Sequence, residues 1–163
     1  MTGVGVLAPN GNGIETFWEA LIAGRSGICE ITRFDTSDHK VKIAGEIKNF
    51  DPTISLNQKE IRRNDPFVHY AVHTALEATS WAGIESGAVD PERIGVIFGS
   101  GVGGIGTTAD QHSILTEKGP NRISPFFVPS MISDMSAGMI SIKLGAKGPN
   151  YTTVSACSSA AHA

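Results

Sequence analysis

The sequence predicts an α/β fold, and three observations predict it. Helical and strand-like segments alternate along the chain, and the strand-like ones are short. A β-branched run, Tyr151 to Val154, stops abruptly at a cysteine followed only by small residues. Alternation at this spacing implies a mainly parallel sheet with helices on both faces, because parallel neighbours need a crossover that a helix supplies. No linker or internal repeat divides the sequence, so residues 1–163 read as a single partial domain.

The elements follow in order. Met1-Thr-Gly-Val-Gly-Val-Leu begins at a turn, with hardly any of the strand that would lead into Gly3 and Gly5. Ile14 to Ala23 place Ile14, Phe17, Trp18, Leu21 and Ile22 on one helical face, with Gly24 as the C-cap. A strand signal runs from Lys42 to Ile47. Asp65 caps a long helix that carries Phe67, Val68, Ala71, Val72, Ala75, Leu76 and Ala78 toward Trp81 and closes at Gly83. Arg93 to Gly99 is a strand, and a helix follows near Thr107 to Glu117. A proline-bounded segment, Ser124 to Pro129, precedes a helix from Ser130 to Leu144 and the final strand, which is expected to be buried. The chain stops six residues after Cys157, inside the helix that should support it. The sequence is therefore expected to be a fragment cut through an element at both ends, marginally folded and inactive alone, with exposed sheet edges.

Composition narrows the function. The net charge is −3, and no run of like charge is long enough to mark a nucleic-acid surface. No segment is long or apolar enough to span a bilayer, and the N-terminus lacks a charged-then-apolar leader, so the cytoplasm is expected. The two cysteines, Cys29 and Cys157, form neither a metal-binding pair nor a disulfide framework, which fits a reducing compartment and a free thiol. Cys29 follows Gly27-Ile28 and reads as a small structural residue in a loop.

Cys157 is the candidate nucleophile. Ser155, Ala156, Ser158, Ser159 and Ala160 leave room for a sharp strand-to-helix turn with close backbone approach. A thiol at a helix N-terminus meets unpaired amides and the positive end of the helix dipole, which favour the nucleophilic thiolate and can also stabilise an oxyanion. Gly99-Ser-Gly-Val-Gly-Gly104 and Gly3-Val-Gly-Val-Leu-Ala8 both satisfy a dinucleotide-type glycine spacing. The fingerprint also needs a second strand ending in an acidic residue, and the region after Gly104 holds Thr107, Asp110, His112 and Glu117 in a helical pattern instead. No Gly-Lys-Ser/Thr ending exists, so a phosphate-cradling loop is excluded. The better reading of Gly99 to Gly106 is a tight loop at the C-terminal edge of a sheet, where ligands usually bind. His69 and His73 share a helical face but lack a third ligand and a neighbouring glutamate, so they read as ordinary histidines and no metal is called for. His162 lies five residues after Cys157 on the same helix and points away from the thiol. The residues alone supply a nucleophile without a general base.

Taken together and in order, several segments resemble the β-ketoacyl-[acyl-carrier-protein] synthases, most of all the type II bacterial condensing enzymes of fatty acid elongation. They are Thr2-Gly-Val-Gly-Val-Leu-Ala-Pro-Asn-Gly11, Phe17-Trp18 with Ala23-Gly-Arg-Ser-Gly27, and Gly99-Ser-Gly-Val-Gly-Gly104. Ser124-Pro-Phe-Phe-Val-Pro-Ser130, Gly148-Pro149 and Val154-Ser-Ala-Cys-Ser-Ser159 complete the set. The resemblance covers the whole chain and implies the N-terminal half of a thiolase-like fold, in which two similar α/β halves pack together.

What the resemblance implies is a decarboxylative Claisen condensation. The cysteine matching Cys157 takes an acyl chain from acyl carrier protein, and the carbanion left by decarboxylation of a malonyl-carrier thioester attacks it. Two histidines, a lysine and a gating phenylalanine that complete such a site belong to the C-terminal half. Val102 matches a position gating the acyl tunnel, and Phe127 one reaching the partner subunit's tunnel across a homodimer interface. Lys59, Arg62 and Arg63 match a basic patch that docks the acidic carrier protein, and no cofactor is implied. Ser155 stands where threonine is frequent. Two other readings stay open: a polyketide ketosynthase or coenzyme A thiolase, and a non-catalytic acyl-binding or dimerisation partner, against which an intact Cys157 argues.

Overall fold

The computed structural model describes residues 1–84 and 87–163. Two short antiparallel ladders come first: β1 (Leu7–Ala8) with β2 (Gly11–Asn12), then β3 (Ile28–Glu30) with β4 (Ile43–Gly45). Helix α1 (Ile14–Ile22) follows the first ladder, α2 (Gln58–Arg63) and α3 (Pro66–Trp81) follow the second, and β5 (Val96–Gly99) comes next. Helices α4 (Ile105–Lys118), α5 (Phe127–Met131) and α6 (Met135–Leu144) lead to β6 (Asn150–Thr153), which pairs in parallel with β5 in the register Val96–Asn150 to Gly99–Thr153. A 3₁₀ turn, Ala156–Ser158, and a last helix, α7 (Ser159–His162), end the chain. No described helix is long and apolar enough to cross a membrane.

Helix α3 is the axis of the core. Asp65 caps it by accepting the Phe67 amide at 3.2 Å, and Pro66 fits its first turn, where its missing N–H costs nothing. Val68, Ala71 and Val72 then bury one face with Leu56, Val96, Ala137, Met139 and Ile140, so α3, α6 and β5 share one apolar cluster. Each buried Val, Leu, Ile or Met side chain there contributes roughly 1.5–3 kcal/mol. Across from it, Glu77 of α3 accepts the amides of Val6 at 2.7 Å and Ile14 at 3.3 Å, which fastens the N-terminal segment and the start of α1 to the long helix. Among the described residues, no buried side-chain nitrogen or oxygen lacks a hydrogen-bond partner.

Several expectations change. The mixed helix-and-sheet architecture stands, but among the described residues the parallel pairing expected of a larger sheet is the pair β5–β6, and the other two ladders are antiparallel and separate from it. Residues 1–6 form no strand, in keeping with the turn-like start of the sequence. The last strand is not buried on both sides, because α6 covers one face and only the short α7 begins to cover the other; Ile97 and Tyr151, opposite one another, are 43% and 48% exposed. Helix α1 buries only Ala20, leaving Trp18, Leu21 and Ile22 exposed. Cys29 sits in the middle of β3, paired opposite Ala44, and not in a loop. The helix expected over Ser130 to Leu144 is two helices, because Ile132 turns extended (ψ 137) between α5 and α6. Helix α2 is an element beyond those the sequence predicts, although Asn57 and Glu60 form a capping box that marks its start.

Candidate active site

Parallel pairing brings the C-terminal ends of β5 and β6 side by side, and the Ser100 amide still donates to the Thr153 carbonyl at 3.2 Å. Ligands of α/β sheets gather at this edge. From β6 the chain turns sharply: Ala156 adopts φ +51, a left-handed conformation that costs a side chain with a Cβ roughly 1–2 kcal/mol. Something must hold it there. The Ser159 hydroxyl accepts the Ser155 amide at 2.9 Å and donates to the Ala156 carbonyl at 2.7 Å, and the Ser159 carbonyl accepts from Thr153 Oγ1 at 2.8 Å. Cys157 lies at the centre of the 3₁₀ turn and is exposed, at the strand-to-helix turn where its sequence context puts it.

The glycine-rich loop closes on this turn. A Cβ on Gly99 would lie 2.5 Å from the backbone N and Cα of Ala160, so only glycine lets the end of β5 meet α7. Farther along, Gly104 packs its backbone on the Ser130 carbonyl with no room for a Cβ, and its amide donates to the Met131 carbonyl at 2.9 Å. Val102, between them, is 65% exposed. Asp65 secures the far end of the loop: besides capping α3, it accepts the Thr107 amide at 3.1 Å and the Thr107 hydroxyl at 2.7 Å. Here the glycines serve close packing of the loop against α7 and α5.

Helix α2 carries Lys59, Arg62 and Arg63, all exposed and spaced to share one face. The Arg63 guanidinium lies over the Phe126 ring at 4.6 Å, and its carbonyl accepts the Ser130 hydroxyl at 2.8 Å. Glu60, on the same helix, pairs with Lys143 of α6 at 2.9 Å. Burial raises the Glu60 pKa, but the Lys143 hydrogen bond, the Asn57 amide and the Lys143 charge outweigh it and leave the carboxyl below its ordinary value. A cleft of about 350 Å³ opens between α2, α5 and α6, lined by Lys59, Arg63, Phe126 and Met135 among others.

The site residues thus fall into two groups. Cys157 and the Val102 loop adjoin at the sheet edge, with Gly101 3.4 Å from the Ala156 carbonyl measured from an added Cβ. Lys59, Arg62 and Arg63 form the second group on α2. Phe127 begins α5, which bridges them through Ser130 to Arg63 and through Met131 to Gly104. A cleft of about 590 Å³ lies elsewhere, at the opposite end of β5 beside Ile94 and Gly95, and includes neither Cys157 nor Val102.

Three of the five histidines have ring nitrogens engaged in hydrogen bonds. His69 is buried with Nε2 3.2 Å from the Ile61 carbonyl, and burial holds its pKa below the usual 6.5 against hydrogen bonds that the ring gives to the backbone of Ile61 and Asn64. His73 shares a hydrogen bond of 2.8 Å with Ser55 Oγ, and His162 one of 2.7 Å with Ser155 Oγ. Among the described residues no group of three or more His, Cys, Asp or Glu could hold a metal ion. Sequence reasoning missed the double role of Asp65 and the part played by Ser159. A cap signal at Asp65 was visible, but its bond to Thr107, across 42 positions, was not.

Comparison with known proteins adds a family. The whole chain, residues 1–163, matches the model described as "Beta-ketoacyl synthase, N-terminal domain". It is 44% identical over all its residues to 3-oxoacyl-[acyl-carrier-protein] synthase 2 of Synechocystis sp., covering 39% of that protein. It is 48% identical over 157 residues to the synthase 2 of Staphylococcus aureus, covering 96% of this chain and 39% of that one. Among solved structures, the ishigamide ketosynthase/chain length factor superposes with a TM-score of 0.85 at 26% identity, over 95% of this chain and 39% of that one. The chain spans about two-fifths of the length of these relatives.

Proposed function

Because the chain belongs to the β-ketoacyl synthase family and matches its N-terminal domain throughout, we propose that it supplies the nucleophile of a 3-oxoacyl-[acyl-carrier-protein] synthase of fatty acid elongation. The observation that carries this reading is an exposed thiol, Cys157, on a left-handed turn at the C-terminal edge of the parallel pair. The Cys157 thiolate attacks the carbonyl of an acyl-carrier thioester, and the carrier departs as a thiolate that takes up the proton the Cys157 thiol gave up. A malonyl-carrier thioester then loses carbon dioxide. The resulting carbanion attacks the acyl-cysteine carbonyl, Cys157 departs as thiolate, and a 3-oxoacyl-carrier thioester two carbons longer forms. The groups that promote decarboxylation come from the remainder of such an enzyme.

The basic face of α2 supports carrier-protein docking by Lys59, Arg62 and Arg63, since opposed charge steers such encounters. Val102 and Phe127 are proposed acyl-pocket residues, the second acting across a homodimer. Two free cysteines suit the reducing cytoplasm as the compartment. Relatives at 44% and 48% identity named as synthase 2 favour fatty acid elongation over a polyketide pathway.

The test uses the full-length enzyme incubated with an acyl-carrier substrate, digested and mapped by mass spectrometry. An acyl adduct on Cys157, lost in Cys157→Ala, is the expected result. An adduct on Cys29, or none on Cys157, refutes the assignment.

A further inference from the structure

We infer that Ser159 is a positioning residue for Cys157, an inference that rests on the proposed role of that thiol. Cys157 is exposed, so packing does not fix its direction; the backbone on either side must. That backbone is strained at Ala156, and a strained conformation persists only where its surroundings over-determine it. The Ser159 hydroxyl is buried and spans the turn, taking the Ser155 N–H on one side and giving its proton to the Ala156 carbonyl on the other. A hydroxyl suits this task because it donates and accepts at once. Its own carbonyl is held by Thr153 at the end of β6, and Gly99 packs against the next residue, so the clamp is anchored to both strands of the parallel pair. Without the hydroxyl, Ser155 N–H and Ala156 C=O both lose a partner, Ala156 relaxes toward an ordinary backbone conformation, and the thiol swings from its place.

The experiment compares wild type, Ser159→Ala and Ser159→Thr in the full-length enzyme, with the folded fraction of each fixed by circular dichroism and its melt so that rates refer to folded sites. Ser159→Ala is expected to acylate from an acyl-carrier substrate about 100-fold more slowly, since a displacement near 1 Å costs that much. Its KM and its labelling by iodoacetamide, which needs no fixed approach, stay within about threefold of wild type. Ser159→Thr, which keeps the hydroxyl, is expected to recover most of the rate. Unchanged acylation in Ser159→Ala overturns the inference. So does a parallel fall in acylation and iodoacetamide labelling, which marks a general loss of structure, or a slow Thr variant with native melting. Acylation of wild type at a residue other than Cys157 instead defeats the nucleophile assignment, and is seen before any variant is made.

Discussion

Gly99→Ala tests the contact on which the proposed site is built. The new methyl would lie 2.5 Å from the Ala160 backbone and from the Ser159 carbonyl carbon, whereas ordinary contact begins near 3.4 Å. No flexible side chain stands in the way, so backbone must yield, and β5 and α7 must separate by about 0.9 Å; overpacking of this kind costs about 1–3 kcal/mol. The same movement carries the Cys157 turn with it. Productive geometry tolerates about 0.5 Å, and a shift near 1 Å lowers the rate on the order of 100-fold. The assay is single-turnover acylation of the full-length enzyme, beside urea unfolding. Gly101→Ala is the control, because its Cβ would sit 3.4 Å from the Ala156 carbonyl, an ordinary approach; its stability should move by no more than about 0.5 kcal/mol. If Gly99→Ala and Gly101→Ala acylate and unfold alike, the close contact does not govern the turn.

Three further predictions follow from other contacts. Asp65→Ala removes the α3 cap and leaves the Thr107 amide and hydroxyl unpaired; it should cost about 1 kcal/mol for the cap and about 1–3 kcal/mol for the stranded groups, read as a lower urea midpoint, with Asp65→Asn intermediate. His69 is held below its ordinary pKa of 6.5 by burial, so the unfolded chain takes up its proton first as pH falls. Its contribution is therefore complete above pH 6.5 and declines as pH drops through the folded value, giving a lower urea midpoint at pH 5.5 than at 7.5 and a flatter profile in His69→Asn. Joint reversal of Lys59 and Arg62 to glutamate should slow carrier-protein association about tenfold at low salt and much less at high salt; equal rates in stopped flow at both salts leave the patch without a steering role. Arg63 is spared in that variant because its guanidinium also covers Phe126.

Local rules made much of this fold legible. The Asp65-Pro66 start of α3, the Gly24 end of α1 and the β-branched approach to Cys157 are signals written within a few residues, and each marks a real boundary. Pairing partners are a different matter. Nothing in Ile28-Cys29-Glu30 announces that it will meet Ile43–Gly45 in an antiparallel ladder, so Cys29 reads as a loop residue until the register is known. The break between α5 and α6 is hidden because Ser133 and Asp134 resemble residues of a helix start without ruling out a continuous helix. At the candidate site, small residues around Cys157 predict a tight turn, but small size does not say which of them is structural. Ser159 differs from its neighbours Ser155 and Ser158 only through burial and the two bonds it makes, both consequences of the turn already being folded.

Helix α4 is attached in an unusual way, and its attachment bears on how the molecule opens. It buries no residue, and Ile105 and Leu115 are largely exposed. Its fastenings are polar: Asp65 to Thr107 at its first turn, and Gln111 to the Ser124 amide at 2.7 Å. Detaching it uncovers little apolar surface, so the event carries almost no denaturant dependence or heat-capacity change. A urea or thermal melt, which reports loss of the α3–α6 core, passes over such a release. Amide hydrogen exchange records it as fast, denaturant-insensitive exchange in α4 while the α3 amides stay protected.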